Sequence, residues 1–456
     1  MAADSSAAGQ GPAMQVALNA DEVEFISAWR MYRAGDAALS QSARDFLDQI
    51  SNRAGISGGG DSSAASAPRI RDLPVYDADA AERIKAALPG IVLGGAVGDS
   101  IGAPVEFDDL AIIQQKCGPA GVSGPLPVFG KPSAFTDDTQ LLAFTLEALI
   151  IGRSQLRAGG FRTHSHPRNA LQMSYARWLH TQGLEWRATL PGTLRKAIPE
   201  PGGWLVGQEE LRAQRSPDRV SLDALAAFAR ATDDNAAQGI SNFDTPLNQD
   251  KSPGALLRAA PCFLWSDVPE RVFNLGANVG VITHGHPTGY LPSGTFATVC
   301  GGLAQGASLR AAIDGALEQL RRWEGNDETR SSLERALELA ESGRMDADAL
   351  EARIGPGWRA DEALAIGLAA AVASPGDFRR AVGVAVNRSG NSTTPAAVCG
   401  AVLGALHGVA IVPPDWLSTL EWRAGFEELI SDSLAEFAAP DAADGADWSA
   451  KYPRQL

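Results

Sequence analysis

Two adjacent carboxylates, Asp137 and Asp138, lie in the segment FTDDTQLLAF at the start of an apolar helical pattern. The simplest interpretation is a helix N-terminus, where acidic side chains accept from free N–H groups and favour the positive end of the dipole. That explains one aspartate, but not two acids and a hydroxyl among mostly apolar neighbours. Because Mg²⁺ and Mn²⁺ prefer hard oxygen donors, Thr136, Asp137 and Asp138 are candidate metal ligands.

A second pair of carboxylates, Asp99 and Glu106, flanks a glycine-rich turn in GGAVGDSIGAPVEF at residues 94–107. Glycine permits tight turns and a close approach of neighbouring backbone. The segment fits both an ordinary loop with solvated acids and one side of a functional site. Its spacing alone leaves both interpretations open.

Two of the six histidines, His284 and His286, occur in the segment THGHPTGYLPSG. Their spacing in a Gly/Pro-containing loop does not match a helical zinc pair. Histidines that cap a neighbouring helix and histidines that contact a ligand are therefore equal alternatives. A late polar loop, NRSGNSTTP at residues 387–395, indicates by itself only a helix start, with Thr394 as the cap before Pro395.

The elements that must position these residues are predicted to be helices separated by Gly and Pro. Alanine-rich composition and few alternating β-branched runs argue against a substantial sheet. Long helices with short links indicate an all-α globule. The predicted helices cover residues 79–98, 138–152, 169–182, 221–230, 255–265, 269–282, 293–305, 308–322, 328–341, 360–373, 376–385 and 395–409.

Composition changes along the chain predict its domain organisation. In order, we expect a disordered segment at 1–20, a helical segment at 21–53, a linker at 54–75, the main domain at 76–437 and a loose acidic tail at 438–456. Residues 20–55 carry one apolar stripe, which fits a docking arm for a protein partner and a satellite packed on the core equally well.

The net charge of −15 over 456 residues disfavours sequence-independent binding to nucleic acid or anionic membranes. Four cysteines without a C-x-x-C pair predict buried free thiols rather than a zinc site. The N-terminus lacks a secretory pattern, and the longest apolar run is too short to span a bilayer. We therefore expect a cytoplasmic protein without nucleic-acid or membrane partners.

Taken in order, the motifs GDSIGAPVE, TDDTQ, LLRAAP, THGHPTGYLPSG and SGNSTT resemble those of the ADP-ribosylglycohydrolase family. The segment YARWLHTQG adds to the resemblance, which covers roughly residues 80–410. It implies a compact all-α fold that holds two divalent cations, Mg²⁺ or Mn²⁺. It also implies hydrolysis of the bond between ADP-ribose and an acceptor such as arginine or serine.

The resemblance also implies roles for individual residues. Glu106 matches the acidic residue beside the substrate ribose and, with Asp138, would be catalytic, while Asp99 would support the same turn on the substrate side. The implied metal ligands are Thr136, Asp137, Asp138, Asn391, Thr393 and Thr394. The implied contacts to ADP-ribose or an ADP-ribosylated protein are Lys251, Ser252, Gly254, His284 and Gly285.

Two segments depart from the family pattern. The late loop of the family reads G-D-x-D-[ST], but Asn391 and Thr393 replace both acids here. Paired dications repel each other strongly and need carboxylates to offset that repulsion, so one cation is expected rather than two. In the phosphate-side loop Pro253 lacks an N–H and Asp250 would repel a diphosphate, which Lys251 offsets in part.

Three functions follow as alternatives. The first is an ADP-ribosyl hydrolase whose activity is reduced by the loss of the late acids. The second is a pseudoenzyme that binds ADP-ribose or a partner, for example as an immunity protein against an ADP-ribosyltransferase toxin. The third is a structural role for the scaffold alone, which predicts neither metal nor nucleotide binding.

Overall fold

The computed structural model describes residues 78–157, 167–231, 240–438 and 446–454. Regular structure within these ranges is helical, apart from one isolated bridge between Val128 and Lys131. The all-α prediction is therefore confirmed for the part of the chain that the structure describes. The predicted disordered segment, N-terminal helical segment, docking arm and linker all lie outside the described residues.

The α-helices are numbered in chain order. They are α1 Ala78–Gly102, α2 Leu110–Cys117, α3 Asp137–Arg157, α4 Arg168–Thr181, α5 Gly192–Ala197, α6 Glu209–Arg212, α7 Arg219–Arg230, α8 Pro269–Val281, α9 Pro287–Ala304, α10 Leu309–Leu320, α11 Asp327–Glu341, α12 Ala347–Arg353, α13 Ala360–Ala373, α14 Phe378–Val386, α15 Thr393–His407, α16 Pro414–Thr419, α17 Arg423–Ala438 and α18 Ala446–Lys451. Short 3₁₀ segments are Ala103–Val105, Trp186–Thr189, Leu205–Gly207, Leu257–Trp265 and Val409–Ile411.

Most predicted helices are present, and the differences have local causes. Leu257–Trp265, predicted as an α-helix, is a 3₁₀ segment that contains Pro261. Helix α9 begins within the predicted loop, because Pro287 fits a first turn and the ring of His286 accepts from the Thr288 N–H. Sequence reading missed α17, and the tail predicted to be loose contains α18 followed by the buried Tyr452.

Helices α1 and α15 make direct backbone contact at the centre of the domain. A Cβ atom added to Gly94 would lie 2.4 Å from the carbonyl oxygen of Gly400, and one added to Gly400 would lie 2.1 Å from that of Gly94. Only glycine permits this approach. Because Ser392 Oγ also donates to the carbonyl of Gly102 at 3.0 Å, the end of α1 lies against the start of α15.

From Ala87 to its end, helix α1 is mostly apolar and almost entirely buried, because it lies in the core. With its 3₁₀ extension, Ala78–Val105 is long and apolar enough to cross a membrane, but 89% of its most apolar window is buried inside the protein. That burial is what the core helix of a globular domain requires.

The predicted free thiols are also found, since Cys262, Cys300 and Cys399 are buried and unpaired and Cys117 is half-buried and unpaired.

Candidate active site

Asp99, at the end of α1, organises the start of α3. Its carboxylate accepts from the Thr136 N–H at 2.9 Å, from Thr136 Oγ1 at 2.9 Å and from Thr139 Oγ1 at 2.5 Å. Asp99 is 0% exposed, so its oxygens are committed to these donors rather than to a substrate. The geometry fits a support for the turn, and the assignment of Asp99 to substrate binding stays a prediction.

The late loop completes the same centre. Thr394 Oγ1 donates to Asp138 Oδ2 at 2.9 Å, and Thr393 Oγ1 donates to Glu106 Oε1 at 2.9 Å. Asn391 Oδ1 accepts from the Thr394 N–H at 3.1 Å and from Thr393 Oγ1 at 3.2 Å. The early and late motifs therefore meet, as the resemblance requires, with hydroxyl and amide groups on the late side.

A further acid, Asp218, joins this centre from the N-cap of α7. Its backbone N–H donates to Asp137 Oδ2 at 3.0 Å, and its carboxylate lies 3.2 Å from His284 Nε2. A Cβ atom on Gly254 would lie 2.7 Å from Asp218 Oδ2, so glycine leaves room for this carboxylate. Asp218 was not predicted as a site residue, because an aspartate before RVSLDAL has the pattern of any helix cap.

The phosphate-side loop reaches this centre through Ser252 and His284. Ser252 Oγ lies 3.0 Å from His284 Nε2 and also donates to Asp250 Oδ1 at 2.5 Å. The carboxylate of Asp250 accepts from the Ser252 N–H as well, at 2.7 Å. The Gly285 N–H donates to Asn248 Oδ1 at 2.9 Å. Ser252 and His284 thus border the acids, whereas the N–H of Gly285 is used within the fold.

Lys251 differs from its neighbour Ser252, because its side chain does not contact the buried acids. Its Nζ forms an ion pair with Glu328 Oε2 at 2.9 Å. Glu328 lies on α11, so the partner of Lys251 comes from outside the phosphate-side loop. The predicted role of Lys251 in substrate binding therefore concerns the edge of the site rather than its floor.

Burial and mutual repulsion set the charge of the acids. Burial raises the pKa of Asp99 to about 6, despite the hydrogen bonds from Thr136 and Thr139 that lower it. Burial, with repulsion from Asp99, raises the pKa of Glu106 to about 7 against the lowering hydrogen bond from Thr393. These two acids therefore exchange protons near neutral pH.

The remaining acids divide into two kinds. Burial followed by like-charge repulsion raises the pKa of both Asp137 and Asp138 well above the ordinary value. Burial acts in the same direction on Asp218, but the hydrogen bond and charge of His284 outweigh it and lower the pKa to about 2. None of the ion pairs between described residues neutralises Asp137 or Asp138, so the site disfavours its own full ionisation.

The acids of the junction carry hard oxygen donors, which are the ligands that Mg²⁺ and Mn²⁺ prefer. Thr136, Asp137 and Asp138 supply a hydroxyl and two carboxylates that lack basic partners, which a cation would neutralise. Within the described ranges, however, no three His, Cys, Asp or Glu side chains are grouped closely enough to hold a metal ion. The late loop contributes Asn391 and Thr393 where carboxylates would be needed for a pair of dications.

The fold is a helical domain with buried acids where an early and a late segment meet. A family model identifies the class of protein to which this arrangement belongs. The chain belongs to the ADP-ribosylglycohydrolase family, a hydrolase family, whose model matches residues 77–443. A search of curated proteins found no match. Solved structures that match include one described as an ADP-ribosylglycohydrolase-related protein complex, at 22% identity and a TM-score of 0.48, covering 79% of this chain and 99% of that one.

Proposed function

We propose that this protein hydrolyses the glycosidic bond between ADP-ribose and a modified acceptor, with the help of a single Mg²⁺ or Mn²⁺ ion. The observation that carries the proposal is the meeting of four acids, Asp137, Asp138, Glu106 and Asp218, at one buried junction within a hydrolase-family domain. Acids are costly to bury, so their convergence indicates a functional site rather than packing.

Glu106 is the group best suited to move a proton. Its carboxyl is half-buried, is fixed by the Thr393 hydroxyl and has a pKa near 7, so both protonation states are available at neutral pH. Cleavage at the anomeric carbon develops positive charge on the ribose and negative charge on the leaving acceptor. An ionised Glu106 would take a proton from the attacking water, and the protonated Glu106 would then donate that proton to the departing acceptor.

The chain's other acids would bind and orient the ribose. Thr136, Asp137 and Asp138 would hold the cation, which supplies positive charge that orients the ribose oxygens. Asp218, kept ionised by His284, would offset positive charge as it develops on the sugar. Asp99 stays behind Thr136 and fixes the position of its hydroxyl.

The proposal is tested with an ADP-ribosylated protein as substrate, incubated with the full chain and Mg²⁺, Mn²⁺ or EDTA. Free ADP-ribose should appear with one of the metals and be reduced in EDTA. Asp137→Asn should lower the rate, whereas Glu334→Gln, on the exposed face of α11, should leave it unchanged. Absence of ADP-ribose release under either metal would reject hydrolysis.

A second candidate, binding without cleavage, is favoured by the late loop. Asn391 and Thr393 stand where the family pattern places carboxylates, and Thr393 holds Glu106 by a neutral hydroxyl hydrogen bond. Such a protein would shield ADP-ribose or an ADP-ribosylated partner rather than release it. Calorimetry separates the two: ADP-ribose binding without any turnover would support this candidate, and absence of both would leave only a structural role.

A further inference from the structure

An exposed aromatic pair lies beside the buried acids. Phe107 and Trp358 are 73% and 40% exposed, and their rings stack with centroids 5.7 Å apart and an interplanar angle of 13°. Phe107 directly follows Glu106, so one ring is attached to a residue of the proposed site. Large aromatic side chains seldom stay in water without a partner, and their free faces are suited to stacking.

The loop that carries Trp358 is fixed to the late loop of the site. The Asn391 N–H donates to the carbonyl of Pro356 at 2.9 Å, and Arg388 Nη1 donates to the same oxygen at 2.9 Å. Arg388 also donates to the carbonyl of Asn391. The aromatic pair is therefore held at the edge of the acid junction by ordered backbone.

Next to Trp358, two cations converge on one surface anion. Arg359 Nη2 lies 2.7 Å and Lys251 Nζ 2.9 Å from the same oxygen, Oε2 of Glu328. Thr288 Oγ1 donates to this oxygen as well, at 2.5 Å. The Glu328 side chain is 42% exposed, so a solvated carboxylate occupies a focus of three donors.

The cations also connect to the acid junction from the other side. Lys251 precedes Ser252, whose hydroxyl lies 3.0 Å from His284, and His284 contacts Asp218. The backbone carbonyl of Lys251 accepts from the Ala360 N–H at 2.8 Å, which ties the two basic segments together. Aromatic rings, cations and acids thus follow one another around a single site.

We propose that Lys251 and Arg359 bind the diphosphate of a nucleotide sugar, that the Phe107–Trp358 pair takes its base, and that Glu328 occupies the two cations until the diphosphate replaces it. The inference rests on the proposed function, because the ribose end of the ligand would lie at the acids. Arginine suits this role, since its planar group binds phosphate oxygens in pairs.

This arrangement accounts for the altered phosphate-side loop. Pro253 cannot donate an N–H, and the carboxylate of Asp250 is engaged by Ser252. Side-chain cations from two segments supply the positive charge that a row of loop N–H groups would otherwise give. Glu328 competes with the ligand, so the apparent affinity is lower than it would be without the Glu328 charge. Arg359 keeps its other ion pair, with Asp361 at 3.0 Å, throughout.

Calorimetry with the full chain tests the proposal, using ADP-ribose and, as a probe without phosphate, adenosine. Glu328→Gln keeps the side-chain shape but removes the competing charge, so the Kd for ADP-ribose should fall about fivefold while that for adenosine is unchanged. Arg359→Gln should raise the Kd for ADP-ribose about tenfold. Trp358→Ala should raise the Kd for both ADP-ribose and adenosine.

The matched control is Glu334→Gln on the same helix, whose side chain is also 42% exposed and ion-paired, and which should change no Kd. If the wild type binds ADP-ribose but neither Glu328→Gln nor Arg359→Gln alters its Kd, this inference is wrong and the proposed function stands. If neither the wild type nor Glu328→Gln binds ADP-ribose, both fail. A thermal melt of each variant identifies any that do not fold. If Glu328→Gln does not fold, the Kd of Arg359→Gln for ADP-ribose decides the inference.

Discussion

Thr394 donates its hydroxyl hydrogen to Asp138 at 2.9 Å, although the two residues are 256 positions apart in the chain. This hydrogen bond joins the start of α15 to the start of α3. It supplies a neutral hydrogen-bond donor to Asp138, whose nearby buried groups include other acids. The centre is thereby held together in part by hydroxyl groups rather than by a full set of charged ligands.

Loss of that donor should destabilise the junction. Thr394→Val keeps the shape of the side chain but leaves the buried Asp138 carboxylate without this partner, so the free energy of unfolding should fall by about 1–3 kcal/mol. Urea unfolding followed by circular dichroism measures it. Thr295→Val is the control, because that buried hydroxyl donates only to a carbonyl of its own helix. Equal losses in both variants would contradict a special role for Thr394.

Restoring the late acids should restore metal affinity. Asn391→Asp together with Thr393→Asp returns two carboxylates to the junction, and the affinity for Mn²⁺ should rise by more than about tenfold, or roughly 1.4 kcal/mol. Calorimetric titration measures it. Without metal the double variant should unfold at a lower temperature, because its new charges add to the repulsion around Glu106. An unchanged Mn²⁺ isotherm would show that no ligand shell was rebuilt.

Glu106 should matter for turnover more than for binding. Glu106→Gln retains an acceptor for the Thr393 hydroxyl but cannot exchange a proton, so kcat should drop about 100-fold or more. The Kd for ADP-ribose should change little. Single-turnover kinetics and calorimetry on the same preparation separate the two quantities. Wild-type kcat in this variant would remove Glu106 from the proposed chemistry.

The metal-free protein should lose stability as the pH rises toward 8. The pKa values of Asp99 and Glu106 in the folded state, about 6 and about 7, exceed their ordinary values of 3.8 and 4.5. The folded state therefore holds more protons than the unfolded state between about pH 4 and pH 7, and stability falls across that window by roughly 5 kcal/mol at most.

Thermal melts in EDTA at pH 5.5 and pH 8 measure this effect, and the Tm should be lower at pH 8. Glu106→Gln should reduce the difference, because it removes one of the titrating groups. Added Mn²⁺ should recover part of the loss at pH 8, since a cation favours the ionised acids. A Tm that rises between the two pH values in EDTA would contradict the assigned direction.

The contact between α1 and α15 should tolerate no added side chain. A Cβ atom on Gly98 would lie 2.1 Å from the carbonyl oxygen of Ala396, so Gly98→Ala should lower the free energy of unfolding by about 2–3 kcal/mol or more. Gly315→Ala in α10 is the control. No atom lies within 4 Å of its added Cβ, so helix propensity should raise stability by about 0.5–1 kcal/mol. Similar melting curves for both variants would contradict the close packing.

The sequence allowed the helical fold and the junction of its early and late motifs to be predicted, because apolar periodicity and specific motifs both survive in it. Asp218 was not predictable in this way, since nothing in its local pattern separates a functional acid from a helix cap. The proposed roles of Glu328 and Arg359 depend on a tertiary contact between α11 and the residue that precedes α13. The burial of Tyr452 is likewise a tertiary effect that the acidic composition of the tail does not reveal.

Glu106 and Thr393, which hydrogen-bond to each other, are separated by 287 positions. During synthesis, the first acids leave the ribosome long before the segment that completes their surroundings. A chain interrupted before residue 393 would therefore carry acids without their stabilising hydroxyl donors. The centre can therefore form only after nearly the whole domain has been synthesised. Contacts so distant in sequence are expected to form late and slowly.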